Sequence, residues 1–292
     1  MTVNEKIADY ITFPKTFEGY RWYKPIIVLI LTQIIMLILG AVIVFVFSQV
    51  FGMEFITGIF NGGYEALHSA EGILFADLII ILFIPSLYIA SKVIKDRPFS
   101  SYSSSRGGWN FKLYFKALMI PLVLYIIYLG IDTLIFKPEG TYNFSIPFLI
   151  VLFICVPLQS IAEEYGFRGL LMQTLGSWLN MPVLAIVIQA IIFTLLHGYN
   201  TIGLLETLVL GLVYGFFALK TNGIEISCAL HTANNFTFGL FVMFGLQAST
   251  SSPQLGSVIS TIVFQIILAA IMYYVGAKTD WFGELPENQQ NI

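Results

Sequence analysis

The chain has 292 residues, of which 57% are hydrophobic and only 11% are charged, and its formal net charge is −3. Because soluble domains carry about 25% charged residues, this composition excludes an ordinary soluble protein and indicates an integral membrane protein. No stripe of basic residues with interleaved aromatics occurs, so no nucleic-acid partner is expected.

Eight apolar runs predict an all-α, polytopic membrane bundle of about eight helices, since a span needs about 20 apolar residues, with a range of about 17–25. In chain order the predicted spans are 26–50, 73–90, 117–136, 146–175, 182–197, 204–219, 224–245 and 258–275. The first run is too long for the apolar core of a cleavable signal peptide, so we interpret it as a retained span. The fourth is long enough to be tilted, and the short fifth and sixth suit helices that line a cavity.

The lysines and arginines favour one side of this predicted bundle. When the N-terminus is placed in the cytoplasm, 12 of the 14 basic residues become cytoplasmic, namely Lys6, Lys15, Arg21, Lys24, Lys92, Lys95, Arg97, Arg106, Lys112, Lys116, Lys220 and Lys278. Of the other two, Lys137 lies outside and Arg168 lies within a span. This distribution fits the positive-inside rule and predicts that both termini are cytoplasmic.

Some polar residues outside the motifs have simple interpretations. Residues 100–108 are rich in serine and glycine and are interpreted as a flexible cytoplasmic connector. Asp77, Asp132 and Glu206 fall near the outer ends of their spans, where a side chain reaches water at little cost. We interpret these three acids as interface anchors.

The fourth span carries the motif Glu163-Glu164-x-x-x-Arg168. An ionisable side chain at the bilayer centre costs at least about 2.5 kcal/mol and is by default a sign of function. Glu164 and Arg168 are four residues apart on one helix face and can pair. Glu163 points about 100° away and is left without a cation, as a general base would be. Alternatively, the two acids cap a shorter helix and Arg168 lies in water.

The fifth span places Gln189, Phe193 and His197 on one helical stripe. A single histidine on an apolar helix is often a packing residue. Since Gly198 follows, the helix can also end here, and His197 would then be a cap or interface residue.

The seventh span carries His231 and Asn235 on one face. Two donors pointing the same way can hold the oxyanion of a tetrahedral intermediate, a role worth about 2.7–4 kcal/mol per donor. The alternative is an interhelical hydrogen-bonding pair. Measured from the cytoplasmic ends, His231 lies about 10 Å deep and His197 about 22 Å deep, so the two imidazoles meet only if the fifth helix is shifted or tilted.

Such groups on three separate helices indicate one shared polar cavity, of the kind found in a hydrolase. Glu163, His197 and His231 could together ligate Zn²⁺ and leave its fourth position to water. The chain has no His-Glu-x-x-His helix motif, however, so a metal-free mechanism with Glu163 as base is favoured and no cofactor is expected.

On membrane helices and in this order, the motifs Glu-Glu-x-x-x-Arg, Phe-x-x-x-His and His-x-x-x-Asn resemble those of the CPBP family. This group of intramembrane proteases includes the type II CAAX prenyl endopeptidases and the bacterial abortive-infection or bacteriocin-immunity proteins. The resemblance covers roughly residues 151–246, about a third of the chain. Each motif is weak without the other two, and it is the ordered set that is specific.

The resemblance implies a helical bundle whose active site opens toward the cytoplasm. It implies that Glu163 is the catalytic carboxylate, that His197 is its partner in activating water, and that His231 and Asn235 stabilise the oxyanion. The implied supporting residues are Glu164, Arg168 and Phe193. Members of the family are often labelled metalloproteases, so the zinc alternative stays open.

We therefore predict an intramembrane endopeptidase that hydrolyses a peptide bond of a membrane protein or lipidated peptide near the cytoplasmic leaflet. The alternative is a non-catalytic immunity or regulatory protein that binds another membrane protein. A secondary transporter would show inverted repeats with broken helices in matching positions, and the sequence shows neither.

The motifs divide the chain into three predicted regions. They are an N-terminal cytoplasmic segment with scaffold helices (1–145), a CPBP-like catalytic core (146–246), and the last span with a cytoplasmic tail (247–292). The Ile- and Phe-rich, Arg-poor composition is typical of a low-GC bacterium and predicts a multi-pass protein of the bacterial cytoplasmic membrane. Substrate sequence and oligomeric state do not follow from these patterns.

Overall fold

The computed structural model describes residues 10–62, 69–250 and 252–282. Within these ranges the fold is built from helices, and the only β-type pairings are two isolated bridges. The helices are α1 Lys24–Phe51, α2 Met53–Gly62, α3 Ala70–Ile81, α4 Phe83–Ile94, α5 Ser100–Ser103, α6 Phe111–Phe136, α7 Ile146–Glu164, α8 Gln173–Leu179, α9 Pro182–Leu195, α10 Thr201–Lys220, α11 Glu225–Met243 and α12 Leu255–Lys278.

Six segments of the described chain are long and apolar enough to cross a membrane: Lys24–Phe51, Ala70–Ile94, Phe111–Phe136, Ile146–Leu179, Thr201–Lys220 and Leu255–Lys278. The predicted all-α, multi-pass membrane bundle is thereby confirmed. The remaining two predicted spans correspond to α9, which is apolar but short, and to α11. A count of eight crossings and cytoplasmic termini remain predictions.

The second predicted span, 73–90, is two helices rather than one. Helix α3 ends at Ile81, and α4 begins at Phe83 and runs to Ile94. Pro85 lies in the first turn of α4, where a backbone N–H has no helical partner and its loss costs little. The proline therefore explains why a new helix begins at this point.

The fourth span is longer than predicted and contains a change of helix type. Helix α7 continues without a break into a π-helical segment, Tyr165–Met172, and then into α8, so that 34 residues cross the bundle. Their length of about 50 Å exceeds the hydrocarbon core of about 30 Å, so the helix must tilt or extend beyond it. π-Helical turns are frequent at functional sites, and this one directly follows Glu164.

Helix α11 lies at the centre of the bundle, packed against α6, α7 and α10. Every residue from Glu225 to Ala233 is buried, which explains how this helix can carry polar side chains without facing lipid. Helices α9 and α10 approach closely because α10 has glycine at the contact. A methyl group on Gly211 would lie 3.0 Å from the Ala190 Cβ atom.

The predicted flexible connector, residues 100–108, is instead partly buried and bonded to the bundle, so its interpretation as a flexible polar segment is wrong for residues 101–104. Residues 101–104 are buried, and their backbone carbonyls accept bonds from three distant segments. Tyr10 Oη donates to the Tyr102 carbonyl (2.5 Å), Gln173 Nε2 to the Ser101 carbonyl (3.1 Å), and the Ile224 amide to the Ser103 carbonyl (2.9 Å). Long-range partners of this kind cannot be read from local composition.

Candidate active site

The two adjacent glutamates of α7 have very different surroundings. Glu164 is fully buried, and its Oε1 atom accepts from Arg168 Nη1 and from His231 Nδ1, both at 2.8 Å. Glu163 is partly exposed, and its Oε1 atom accepts from Gln159 Nε2 at 2.7 Å. Its Oε2 atom has no hydrogen-bond partner and lies 3.5 Å from His231 Nε2. Glu164 is therefore held by the Arg168 cation, whereas Glu163 keeps one carboxylate oxygen without a hydrogen-bond donor.

Arg168 fixes Glu164 inside the protein. It is fully buried, its Nη2 atom donates to the Gly211 carbonyl at 3.1 Å, and its guanidinium lies 4.7 Å from the Phe193 ring centroid and 5.3 Å from that of Tyr214. The ion pair and the aromatic faces offset the cost of burying the charge. The alternative of a capped helix end with a solvated arginine is therefore wrong.

His231 is held in a single orientation by its neighbours. A carboxylate only accepts hydrogen bonds when ionised, so the contact with Glu164 puts a hydrogen on Nδ1 and directs Nε2 toward Glu163. The Tyr214 ring stacks on the imidazole with centroids 5.1 Å apart. This carboxylate–imidazole contact orients the ring and controls which nitrogen faces the cavity.

Asn235 belongs to a chain of amide hydrogen bonds that ends at Glu163. Asn234 Nδ2 donates to Asn235 Oδ1 (2.9 Å), and Asn235 Nδ2 donates to Gln159 Oε1 (3.1 Å). Gln159 Nε2 then donates to Glu163 (2.7 Å). Asn235 therefore hydrogen-bonds between helices α11 and α7, and its amide nitrogen also makes a 3.5 Å contact with Ser160 Oγ.

Gln159 is a site residue that the sequence analysis missed. It is buried and lies four residues before Glu163, on the same face of α7. A polar amide one helical turn before a motif carboxylate, inside an otherwise apolar span, is a signal that could have identified it. Tyr214, which stacks on His231, was also missed, and an aromatic residue on an apolar helix carries no comparable signal.

His197 lies just beyond the end of α9, which stops at Leu195 rather than at 197. Its Nδ1 atom is 2.7 Å from the Phe193 carbonyl, an acceptor, so Nδ1 carries the hydrogen and a neutral ring keeps a lone pair on Nε2. Among the described residues no ion pair joins His197 to Glu163, whereas His231 Nε2 lies 3.5 Å from Glu163 Oε2. The Nδ1 side of His197 thus bonds back to its own helix, as a cap residue would, and Nε2 is left for other partners.

The Phe193 ring lies beside both imidazoles, with its centroid 4.5 Å from that of His197 and 6.0 Å from that of His231. The difference in depth inferred from the sequence stays a prediction. Gln189, on the same stripe, is fully buried and donates to the carbonyls of Ile186 and Gly211. We therefore interpret Gln189 as a packing residue between α9 and α10.

One cavity of about 780 Å³ connects these side chains, and the expected convergence of three helices on a polar cavity is present. The motif residues in its wall are Glu163, Phe193, His197, His231 and Asn235. Glu164 and Arg168 lie behind the wall and act on it through His231. Glu164 and Arg168 can therefore orient the side chains of the cavity wall, but they cannot touch a molecule bound in the cavity.

The three acids that the sequence placed as interface anchors line the same cavity, which corrects that interpretation. Asp132 accepts from Gln247 Nε2 at 3.0 Å, and Asp77 is 8% exposed with an Oδ2 atom that has no hydrogen-bond partner. Glu206 completes the set. The sequence shows correctly that these acids lie near the ends of their helices. It does not show how each helix is rotated, and this rotation, which depends on packing, determines whether an acid faces lipid or the cavity.

The proposed zinc ligands do not form a three-ligand site in this conformation. Glu163 and His231 are adjacent, but among the described residues no three His, Cys, Asp or Glu side chains lie close enough to hold one ion. His197 forms no ion pair with Glu163 in the described part of the chain. The donor types suit zinc, but their spacing does not, and no catalytic step is assigned to a metal.

The part of the chain that carries this site is similar to known proteins. Residues 143–237 match the family model described as "Type II CAAX prenyl endopeptidase Rce1-like". The chain is 32% identical over 184 residues to the uncharacterized protein YyaK of Bacillus subtilis (strain 168), an alignment that covers 58% of this chain and 61% of that protein. The chain thus matches less than two thirds of that relative's length. No solved structure matches the chain significantly.

The matched region contains all three motifs and, with them, α7, α9, α10 and most of α11. It also contains the two positioning residues behind the cavity wall. The resemblance that the ordered motifs show to the CPBP family is therefore confirmed over residues 143–237, the part of this multi-pass membrane protein that matches the Rce1-like family.

Proposed function

We propose that this protein is an intramembrane endopeptidase of the CAAX-protease type, which hydrolyses a peptide bond in a membrane-associated or lipidated protein. One observation carries the proposal. The Glu163 carboxylate lines a cavity inside a membrane bundle, with one oxygen bonded to Gln159 and the other unpartnered beside His231. A carboxylate that is oriented through one oxygen and has no donor on the other is suited to take a proton from water.

In the proposed reaction, Glu163 accepts a proton from a water molecule whose oxygen attacks the carbonyl carbon of the scissile bond. The C–N bond of the tetrahedral intermediate then breaks, and Glu163 returns the proton to the departing amine nitrogen. His197 keeps an acceptor nitrogen in the same cavity wall and helps to orient the water. The overall change is the addition of one water across one amide bond.

We assign the oxyanion to His231 and Asn235. The Nδ1 side of the His231 ring is held by Glu164, so its Nε2 atom faces the cavity beside Glu163 and can donate there when the ring carries both hydrogens. The second N–H of the Asn235 amide, with its 3.5 Å contact, is the other donor. Donors fixed before the reaction stabilise a developing negative charge without reorganisation.

Glu164, Arg168, Phe193 and Gln159 are positioning residues in this proposal. Glu164 and Arg168 orient His231, Phe193 packs against both imidazoles, and Gln159 orients the base. The substrate is a membrane protein or lipidated peptide, and the word CAAX in the family description does not make it a prenylated one. We also propose the bacterial cytoplasmic membrane as its location, in keeping with the Bacillus relative.

The test is Glu163→Gln in the purified full chain, measured by mass spectrometry on a library of unmodified and lipidated peptides in detergent micelles. We expect the native protein to cleave some of them and the variant to cleave none, at equal folded yield. The matched control is Glu54→Gln, an exposed acid outside the cavity. Equal cleavage by both variants would overturn the proposal, and absence of cleavage with an unchanged cellular phenotype in Glu163→Gln would support a non-catalytic membrane partner instead.

A further inference from the structure

We propose that Asp77, on helix α3, is a substrate-binding residue of this site, and that its carboxyl group accepts a hydrogen bond from a backbone N–H of the bound peptide. This role deepens the proposed peptidase function and rests on it for the word substrate. Asp77 lies outside the matched residues 143–237, and none of the three motifs includes it.

Asp77 has no bonding partner among the described residues. Its side chain is buried, with the residue 8% exposed, and its Oδ2 atom has no hydrogen-bond donor. No described lysine, arginine or histidine forms an ion pair with it. A buried polar group without a partner destabilises a folded protein, and an ionisable one inside a membrane bundle is by default a sign of function.

The aspartate of α6 in the same cavity wall is satisfied by the protein itself. Asp132 Oδ2 accepts from Gln247 Nε2 at 3.0 Å, and Asp132 Oδ1 accepts from Tyr128 Oη at 3.3 Å. Both of its oxygens therefore have donors. Asp77 lines the same cavity without such donors, so a molecule bound in the cavity can supply the one that is missing.

The position of Asp77 places it beside the reacting groups. Helix α7, which carries Glu163, packs against both α3 and α11. Helix α11 contributes His231 and Asn235 to the cavity wall, and α3 contributes Asp77. The carboxyl groups of Asp77 and Glu163 are close enough to interact electrostatically. A peptide bond held at Glu163 would thus have α11 on one wall and Asp77 on another.

A bound peptide needs an acceptor that the other site residues do not provide. Each peptide unit carries one donor and one acceptor, and an N–H left without a partner away from water is costly. In the proposed reaction His231 and Asn235 serve the carbonyl oxygen and Glu163 serves the water. In a trans peptide the N–H points away from the carbonyl oxygen. A carbonyl directed at α11 therefore directs the N–H elsewhere, and Asp77 is the acceptor on the α3 wall.

The chemistry of this acceptor defines the ligand as peptide backbone. A carboxyl group accepts hydrogen bonds both when neutral and when ionised, so the contact selects an N–H and not a positive charge. An N–H within an α-helix is already bonded to the carbonyl four residues earlier. The substrate must therefore be unwound where it meets Asp77, as it must also be for hydrolysis at Glu163.

Stability separates a binding role from a structural one. Leucine has the branched shape of aspartate without its oxygens, so Asp77→Leu removes an unpartnered group from the interior. We expect this variant to unfold in detergent at the temperature of the native protein or higher. The matched control is Glu71→Gln, on the same helix but outside the cavity wall. A lower unfolding temperature for Asp77→Leu alone would show that the fold needs this carboxyl and would overturn the proposal.

Binding is measured in the full chain carrying Glu163→Gln, so that no hydrolysis occurs. The probes are a labelled eight-residue peptide of alternating alanine and leucine, and the depsipeptide of the corresponding lactic and leucic acids, in which ester oxygens replace the N–H groups. We expect the peptide to bind more tightly. Adding Asp77→Leu should reduce the ratio of the two dissociation constants about 2- to 10-fold, the worth of about one net hydrogen bond.

Three further outcomes of this measurement are decisive. Asp77→Asn keeps a carbonyl oxygen, so it should reduce the ratio less than Asp77→Leu does, and Glu71→Gln should leave the ratio unchanged. An unchanged ratio in Asp77→Leu overturns the proposal. Absence of peptide binding to the Glu163→Gln protein overturns it as well.

The same probes distinguish this role from the proposed peptidase function. A preference for N–H that depends on Asp77, in a protein that cleaves no peptide, would fault the peptidase and not the binding residue. Cleavage together with a preference that is independent of Asp77 would fault the binding residue alone. On a cleaved peptide, Asp77→Leu should raise KM with little change in kcat, and a fall in kcat at constant KM would contradict a role in binding.

Discussion

His231 donates from Nδ1 to the Oε1 atom of Glu164 at 2.8 Å, and the same oxygen accepts from Arg168 at the same distance. Glu164 therefore connects a buried cation to the imidazole that faces the base. This relationship divides the Glu-Glu motif into an acid that holds the site together and an acid that is free to act.

The first prediction concerns that division. Glu164→Gln should destabilise the protein by about 3–5 kcal/mol, because Arg168 would be left buried without its carboxylate. Glu163→Gln should leave stability nearly unchanged, because one of its oxygens has no partner to lose. Thermal unfolding in detergent measures both.

A double variant separates stability from activity at the same pair. Glu164→Gln combined with Arg168→Met removes both charges, so we expect it to recover most of the lost stability. It should still be inactive, because His231 loses its orienting carboxylate. Recovery of activity together with stability would contradict the positioning role of Glu164.

The second prediction concerns Gln159, which donates to Glu163 and accepts from Asn235. Gln159→Leu keeps the size of the side chain but frees the base, so kcat should fall by up to about 100-fold while KM stays nearly constant. The matched control is Gln49→Leu, on the exposed surface of α1, which should change neither constant. A change confined to KM would indicate that Gln159 binds substrate instead.

The third prediction concerns the contact between α9 and α10. Gly211→Val should reduce stability by about 1–3 kcal/mol, since even a methyl group there lies 3.0 Å from Ala190 and the carbonyl of Gly211 serves both Arg168 and Gln189. Gly130→Ala, in α6 with no atom within 4 Å of the added methyl, should be neutral or stabilise by up to about 1 kcal/mol. Equal effects of the two substitutions would show that helix approach does not matter here.

The fourth prediction concerns metal. After exhaustive chelation and removal of the chelator, the purified protein should keep its peptidase activity, because the site as described assigns the base to Glu163 and its spacing does not bring three ligands together. Elemental analysis of the same sample determines the zinc content. Loss of activity that zinc alone restores would overturn the metal-free mechanism.

The order of residue types along the sequence was enough to predict the membrane class, the helices and the pairing of Glu164 with Arg168. These features depend on local apolar length and on the helical repeat, which act over a few residues. The exclusion of Glu163 from that pair follows from the same repeat. The motif positions that line the cavity could also be predicted, since side chains one turn apart share a face.

Other features were decided by packing between distant segments. Which imidazole reaches Glu163, how Gln159 joins Asn235 to the base, and whether Asp77 faces lipid or cavity all depend on helix rotation and depth. The burial of residues 101–104 depends on partners as far away as Ile224. Sequence alone determined the membrane helices and the chemical groups they carry. Tertiary structure decided which of these groups meet, because side-chain contacts between helices are not a property of any local segment.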